Sequence, residues 1–322
     1  SDVSLNDQAG CVVDMGGRRP VRVAEKIIDV TVVIQDGTRT TGLENSQALG
    51  RPGDCATATE NDFPRDSTGI QRAWNTEITS GELRINAMTG IGGGALDAAA
   101  GAVLEVRASG STGASVTGPS AITGAGVVRL ASGTFTLDAA ATIDSTSAGF
   151  ELAGADIAGG GVVSIGGSGE FSSGAISGNV AVTDTGSWNI TSRSLTKLVT
   201  GSLTNDGTIV QTGDDLNLST STPTPVAGAV VNRGLWDLND DSASQSRTIN
   251  GDFSLPGTFT NDVGGVVRRT SPSGLYATFG TGVNVVNNGT ITVDSGELRI
   301  RSAPANYSGT TLTGGTWQAN GG

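Results

Sequence analysis

The amino-acid sequence predicts an all-β protein whose larger part is a right-handed parallel β-helix, a solenoid of stacked coils. Three observations lead to this prediction. The hexapeptide SGELRI occurs at 80–85 and again at 295–300, short runs alternate apolar and polar residues, and Asn and Gly recur at regular spacing. Such self-similarity is typical of repeat architectures. A fold of one or more β-sandwiches is the alternative, and a left-handed helix is disfavoured because no six-residue repeat is present.

The composition describes a folded chain built from small residues. Among 322 residues there are 50 glycines, 36% are hydrophobic, 16% are charged and 4% are aromatic. Disordered chains combine low hydrophobicity with high net charge, and this chain is too apolar for that class. Branched aliphatic side chains therefore have to supply the core.

A change in charge density near residue 75 divides the chain into two predicted parts. Residues 1–75 carry 8 basic and 11 acidic residues, whereas the remaining 247 carry only 11 and 20, and both cysteines, Cys11 and Cys55, lie in the first part. A disulfide between them would stabilise the fold by about 4 kcal/mol and implies an oxidising compartment. We expect 1–75 to be a small disulfide-bonded cap and 76–322 to form a β-helix of roughly ten coils.

The segments after residue 75 have the pattern of strands. Runs such as DGTIVQTG, RGLWDLND and GGVVRRT alternate apolar and polar residues with period two, which indicates strands and not helices. In both copies of SGELRI the Leu and Ile share one face and the Glu and Arg the other. We expect the aliphatic side chains to point inward, and we expect Trp188 and Trp236, each just after a coil-start glycine, to pack in the core or at a coil edge.

The turns supply the period. In four successive places an Asn lies shortly before a Gly and a strand, and the Asn positions are 27, 29 and 26 residues apart. Corners of a coil need backbone angles that Asn and Gly tolerate, and stacked Asn side chains can bond to their counterparts in neighbouring coils. The predicted coil-turn residues are Asn205, Gly207, Asn232, Gly234, Asn261, Gly264, Asn287 and Gly289.

Three segments carry a resemblance to a known group of proteins: LTNDGTIVQTG at 203–213, VVNNGTITVDSGELRI at 285–300 and YSGTTLTGGTWQANG at 307–321. This N-x-G-T-I turn-and-strand texture resembles the coils of right-handed β-helical surface proteins of bacteria, such as autotransporter passengers and filamentous-haemagglutinin-like adhesins. The resemblance covers roughly residues 120–322. It implies a secreted or surface-displayed fibre, shaft or adhesin.

Several kinds of chemistry are excluded by the residues present. The chain has no histidine, so Ser-His-Asp and Cys-His arrangements cannot form. A net charge of −12 opposes binding to nucleic acid, which requires basic side chains at the phosphates. Lys26 and Lys197 are the only lysines, and no basic patch suits a membrane surface; we expect no cofactor and no direct membrane insertion.

Paired carboxylates are the remaining enzymatic option. Two aspartate pairs one coil apart would form an acidic ridge, which could serve glycoside hydrolysis or hold calcium. The simpler interpretation, which we favour, is that these pairs are solvated loop tips. We expect Arg268 and Arg269 to lie on a solvated face and not to form an anion site. The four candidate acids are Asp214, Asp215, Asp240 and Asp241.

The sequence thus favours a non-enzymatic structural or adhesive module of an extracellular or cell-surface bacterial protein. The expected partner is a glycan or protein on a host or neighbouring cell, and uncovered solenoid ends are expected to allow self-association. The alternative function is that of a polysaccharide-degrading or tailspike-like β-helical protein that binds glycans.

Overall fold

The computed structural model describes residues 90–320 apart from 109, 111–112, 147–148, 192–195, 214, 221–224, 240–246 and 272–275; before residue 90 it describes the strands alone. Within this described part there is no helix, and hence none long and apolar enough to cross a membrane. The chain divides into two compact units, Ser1–Val163 and Ser164–Gly322.

Strands before residue 74 pair antiparallel. One sheet has the order β1 (Val3–Leu5), β2 (Ile27–Val32), β5 (Ser46–Leu49), and β3 (Gln35–Asp36) pairs with β4 (Arg39–Thr40). From β6 onward the ladders between successive coils are parallel, and each unit is a β-solenoid with three faces. The prediction of an all-β parallel solenoid is confirmed, with about nine turns where roughly ten were expected.

In the first unit each face is a parallel ladder of strands from successive coils, and β16 is long enough to run through the second and third faces. The first face contains β6 (Trp74–Ile78), β9 (Gly94–Ala98), β12 (Ser120–Thr123) and β15 (Thr142–Ser145). The second contains β7 (Glu82–Met88), β10 (Val103–Ala108), β13 (Val127–Ser132) and β16 (Gly149–Gly159). The third contains β8 (Gly90–Ile91), β11 (Ala114–Val116), β14 (Thr134–Leu137) and the end of β16. β17 (Val162–Ile165) spans the division between the units.

The second unit repeats this plan, and β18 contributes to two of its faces. Its first face contains β19 (Asn179–Val182), β22 (Ser202–Asn205), β27 (Ala229–Asn232), β30 (Gly257–Asn261) and β33 (Val283–Asn287). Its second contains β18 (Ser168–Ile176), β20 (Ser187–Ile190), β23 (Thr208–Gln211), β28 (Leu235–Leu238), β31 (Val266–Arg269), β34 (Thr290–Val293) and β38 (Thr316–Ala319). Its third contains β18, β21 (Lys197–Val199), β24 (Leu216–Asn217), β29 (Arg247–Asn250), β32 (Tyr276–Phe279) and β35 (Glu297–Ile300).

Two short antiparallel hairpins interrupt the coils of the second unit: β25 (Ser219–Thr220) with β26 (Val226–Ala227), and β36 (Tyr307–Ser308) with β37 (Thr311–Leu312). First-face strands of this unit begin at 179, 202, 229, 257 and 283, so a coil takes 23 to 28 residues. This explains why the sequence shows a loose period: insertions lengthen the corners, while the strands keep their register.

Core residues stack on one another from coil to coil. On the first face of the second unit, Leu203, Val230 and Phe259 are fully buried and occupy equivalent positions in neighbouring strands. Every second residue of such a strand points inward, because side chains alternate along a strand. A single coil cannot bury its aliphatic side alone, so the stacking of neighbouring coils creates the core.

Both copies of SGELRI form strands, on different faces. The first copy lies in β7, where Ile85 is buried and Arg84 is half-buried. The second lies in β35 on the third face, where Glu297 and Arg299 are exposed and Ile300 is half-buried. The charged residues of the hexapeptide are therefore more exposed than its Ile, as the alternation predicted. The two copies lie on different faces, so they do not occupy equivalent positions of the coil.

Candidate functional site

The four predicted turn asparagines form one buried column in the second unit. Asn205, Asn232, Asn261 and Asn287 end four successive first-face strands, share one register and have no exposed surface. The side-chain Nδ2 of each of the first three donates to the Oδ1 of the next residue, at 2.7, 2.8 and 2.8 Å along the column. We call these four residues the asparagine column.

Each amide of the column also joins its coil to the start of the second-face strand in the next coil. The Nδ2 atoms of Asn205, Asn261 and Asn287 donate to the carbonyl oxygens of Leu235, Thr290 and Thr316 at 2.9, 3.0 and 3.2 Å. A buried amide that makes all these bonds avoids the cost of an unsatisfied polar group. The column therefore fixes both the stacking distance and the corner geometry.

The column ends differently at its two termini. The residue in register with Asn205 in the preceding strand is Val182, and the buried Oδ1 of Asn205 has no hydrogen-bond partner. Beyond Asn287, the chain supplies Asn306, whose Oδ1 accepts from the backbone N–H of Asn287 at 2.6 Å. Asn306 was not among the predicted turn residues, because it lies only 19 positions after Asn287.

The turn glycines are required by close packing between coils. A Cβ on Gly234 would lie 2.0 Å from the carbonyl oxygen of Gly207, and one on Gly289 would lie 2.2 Å from that of Gly265. Neither residue has a positive φ. The expectation that these corners need unusual backbone angles is therefore wrong for Gly234 and Gly289; the absence of a side chain is what matters.

Gly265, and not the predicted Gly264, fills this position in the third turn. A Cβ on Gly265 would lie 2.3 Å from the carbonyl oxygen of Asn232, whereas one on Gly264 has only a distant neighbour at 3.9 Å. Gly264 instead has a φ of +88°, so it does need the backbone freedom of glycine. This turn has four residues, 262–265, where the others have two, and the Gly-Gly pair was the signal for it.

An exposed ion pair flanks the asparagine column. Arg233 donates from Nε and Nη2 to the two carboxylate oxygens of Asp206 at 2.6 and 3.0 Å, one coil away. The bond from Arg233 is the main reason that the pKa of Asp206 lies below its ordinary value. Because both side chains are well exposed, this pair contributes little to stability.

The first unit links its coils by charge. Arg84, Glu105, Arg129 and Glu151 occupy one register on the second face, with alternating sign. The closest atoms are 2.5 Å apart for Arg84 and Glu105, 3.4 Å for Arg129 and Glu105, and 2.6 Å for Arg129 and Glu151. We call these four residues the charged column. This column was not predicted from the sequence, although the segments ELRI, LEVR, VRLA and FELA contribute Arg, Glu, Arg and Glu in turn.

Glu105 is the centre of the charged column. Its side chain is only 4% exposed, and Arg107 adds a third guanidinium, with Nε at 2.7 Å. Burial by itself raises the pKa of this carboxyl, but hydrogen bonds from Arg107 and Arg84 outweigh burial and hold the pKa below its ordinary value. Glu105 is therefore ionised at neutral pH, and its charge is compensated inside the protein.

Most of the predicted acidic ridge lies outside the described residues. Asp214, Asp240 and Asp241 belong to the segments that are not described, and Asp215 is exposed in the turn between β23 and β24. Among the described residues, no group of three or more Cys, Asp or Glu could hold a metal ion. The ridge and its calcium alternative stay predictions, and so does the disulfide, because Cys11 and Cys55 also lie outside the described residues.

Aromatic and basic residues inside the second unit partly match expectation. Trp188 and Trp236 are fully buried, which confirms their assignment to the core; Trp188 stacks on Phe171 with ring centroids 5.3 Å apart. Arg269 was expected on a solvated face and is instead fully buried, where its Nη1 donates to the carbonyl oxygen of Leu238 at 2.9 Å. Arg269 occupies an inward-facing position of β31. The alternation of side chains along the strand therefore buries it, although arginine side chains usually lie at the surface.

The comparisons with known proteins add no relative. No family model, curated protein or solved structure significantly matches the chain.

Proposed function

We propose that the chain is a structural or adhesive module of a secreted or cell-surface bacterial protein, of the kind represented by autotransporter passengers and filamentous-haemagglutinin-like adhesins. In this proposal the coils wind right-handed, the segment 1–75 is a disulfide-bonded cap, and the solenoid displays binding surfaces away from the cell. Its partner is a glycan or protein on a host or neighbouring cell.

One observation carries the proposal: the coils of the second unit are interlocked by side-chain bonds as well as by backbone ladders. Three amide-to-amide bonds run through four successive coils with no exposed surface. Such a column opposes lateral slippage of one coil over the next, because each bond is shielded from water. Resistance to shear is the property that a displayed shaft or adhesin requires.

The first face of the second unit supports the same function. Its outward side chains include short hydroxyl and aliphatic groups in one register, as in Thr204, Val231 and Thr260, which are half-buried. Rows of such groups give a regular surface with many repeated hydrogen-bonding positions. A surface of this kind suits multivalent contacts, in which many weak interactions add up.

Localisation and adhesion together test the proposal. Antibodies against the chain are applied to intact source cells before and after protease treatment, and beads coated with the full chain are tested for attachment to bacterial and cultured animal cells. We expect surface labelling that protease removes, and bead attachment above that of albumin-coated beads. Surface labelling without attachment selects the structural role, and a protein found only inside cells overturns the proposal.

A further inference from the structure

A surface groove with an aromatic rim lies in the second unit, where the third face turns into the first. Its volume is about 470 Å³, within the range of small-molecule sites. Its walls come from the corner loop at 251–256, from β30 and β33, and from the segment that follows β35. The lining includes Phe253, Pro256, Thr258, Val283, Asn284 and Ser302.

Phe253 is presented to solvent by an ordered loop. Its side chain is 77% exposed, whereas Phe259 and Phe279 of the same unit are fully buried. The loop is held by Asp252, whose backbone N–H donates to Ser219 Oγ and whose Oδ1 accepts from the backbone N–H of Ser254 at 2.7 Å. Because Phe253 also lines the groove, its ring offers a ligand an apolar face beside polar groups, which is the make-up of small-molecule sites.

Polar groups lie beside this ring. Thr258 and Asn284 are register neighbours on β30 and β33, and Ser302 lies on the adjacent wall. Within the part of the chain that the structure describes, their side chains make no hydrogen bond to protein groups. Two hydroxyls and one amide are therefore available to a ligand, next to an apolar face.

The charge of the groove restricts the ligand. Every lining residue is uncharged, although the chain as a whole has a net charge of −12. The lining residues supply no carboxylate to a cationic ligand and no guanidinium or ammonium group to an anionic one, and the carboxylate of Asp252 in the corner loop is bonded to Ser254. The groove therefore fits a neutral ligand with an apolar face and several hydroxyls.

The strands beneath the groove disfavour an extended peptide. β30 is paired on both sides, with β27 and β33, and the carbonyl oxygen of Val285 in β33 accepts from the backbone N–H of Ala305 at 2.8 Å. Added strands need a free row of backbone donors and acceptors. β33 is the terminal strand of its sheet, but bonds from Ala305 to the carbonyl of Val285 and from the N–H of Asn287 to Asn306 interrupt such a row. Recognition by side chains is therefore favoured over an added strand.

We propose that this groove binds a neutral glycan, with one pyranose ring stacked on Phe253 and its hydroxyls bonded to Thr258, Asn284 and Ser302. The C–H face of a neutral sugar is apolar and its edge carries hydroxyls, which matches the phenyl ring and the free polar side chains. The inference deepens the proposed adhesive function, because it names the class of partner and the site that holds it.

The test applies the whole chain to an array of neutral gluco-, galacto- and manno-configured oligosaccharides, together with sialylated, sulfated and uronic-acid oligosaccharides. The best binder is then titrated by calorimetry against three variants. We expect binding to a neutral oligosaccharide, a loss of about tenfold or more in affinity for Phe253→Ala, and retention in Phe253→Trp. Val263→Ala is the matched control, since Val263 is also 77% exposed but lies on another corner.

The outcomes separate this inference from the proposed function. Absence of binding to any neutral oligosaccharide, or binding to acidic ones only, overturns the ligand class. Unchanged affinity in Phe253→Ala overturns the site. Sugar binding without bead attachment to cells keeps the groove and removes the adhesive role, whereas attachment that survives Phe253→Ala keeps adhesion and removes the groove from it.

Discussion

Each unit contains a column of side chains that links successive coils, and the two columns differ in charge. In the first unit, ions of alternating sign pair on a partly solvent-exposed face and form the charged column of Arg84, Glu105, Arg129 and Glu151. In the second, the asparagine column pairs neutral amides with no exposed surface. This difference shows that the register between coils depends on a side chain that recurs at one position and bonds to its counterpart in the next coil. Either an ion pair or an amide pair can form that bond. Only the charged column should respond to pH and salt.

Removal of an amide from the middle of the asparagine column should have the largest effect. Asn232→Ala leaves Asn261 Oδ1 without its donor at 2.8 Å and Asn205 Nδ2 without its acceptor at 2.7 Å, and it creates a small cavity. We expect a loss of about 3–5 kcal/mol in local stability. Hydrogen exchange of the amides in β27, β28, β30 and β31 measures it, because repeat proteins open locally.

Asn288→Ala is the matched control for this prediction. Asn288 follows the column residue Asn287, but its side chain is exposed, so its removal should change exchange free energies by less than about 0.5 kcal/mol. Equal protection in the two variants would show that the asparagine column does not hold the coils together.

A methyl group between two coils should have the next largest effect. Gly234→Ala would place a Cβ 2.0 Å from the carbonyl oxygen of Gly207, so the coils have to separate locally. We expect a loss of about 1–3 kcal/mol, measured by denaturant unfolding with tryptophan fluorescence. Gly110→Ala, where a Cβ would meet nothing within 4 Å, should be near neutral, and a similar cost at both positions would contradict the close-packing explanation.

The asparagine column and the charged column also show which features of the fold could be predicted from the sequence. The spacing of Asn205, Asn232, Asn261 and Asn287 predicted stacked coils, because one corner repeats with its polar residue. It did not identify Gly265, since two inserted residues move the glycine. It did not identify the charged column, since the register between two strands cannot be read from one strand.

The groove at Phe253 could not be found from sequence for a further reason. An isolated Phe in DFSLPG looks like any other apolar residue, and only its 77% exposure distinguishes it. Burial of Arg269 was missed in the same way: alternation places it inward, but its charge predicted the opposite. Period and turns follow from local patterns, whereas exposure depends on neighbours in other coils.

Neutralisation of Glu105 should have a smaller effect, and one that depends on pH. Glu105→Gln leaves the guanidinium groups of Arg84, Arg107 and Arg129 around an uncharged amide, so we expect a loss of about 1–2 kcal/mol at pH 7. The folded protein holds the pKa of this carboxyl below its ordinary value of 4.5. The stabilisation is therefore complete above 4.5 and is lost as the pH falls through the folded value.

Unfolding at a series of pH values, in low and high salt, checks this prediction. The stability difference between the wild type and Glu105→Gln should shrink below pH 4.5 and in about 1 M salt. The difference caused by Asn232→Ala should stay constant over the same range, because no ionisable group takes part in the asparagine column. If both differences change alike with pH, the contrast between the two columns is wrong.

The smallest expected effect comes from extending the asparagine column by one coil. Val182 lies in register with Asn205, whose buried Oδ1 has no hydrogen-bond partner. In Val182→Asn the new Nδ2 can donate to that oxygen, which offsets the cost of burying an amide, so we expect a change within about 1 kcal/mol. Leu203→Asn puts the same side chain at a fully buried position with aliphatic register neighbours, Val180 and Val230, and should cost about 3 kcal/mol or more. A double-mutant cycle with Asn205→Val isolates the new bond. A coupling energy near zero would mean that register alone does not create the amide pair. A coupling energy of about 1 kcal/mol or more would show that the column can be extended where two neighbouring coils have an asparagine at this corner.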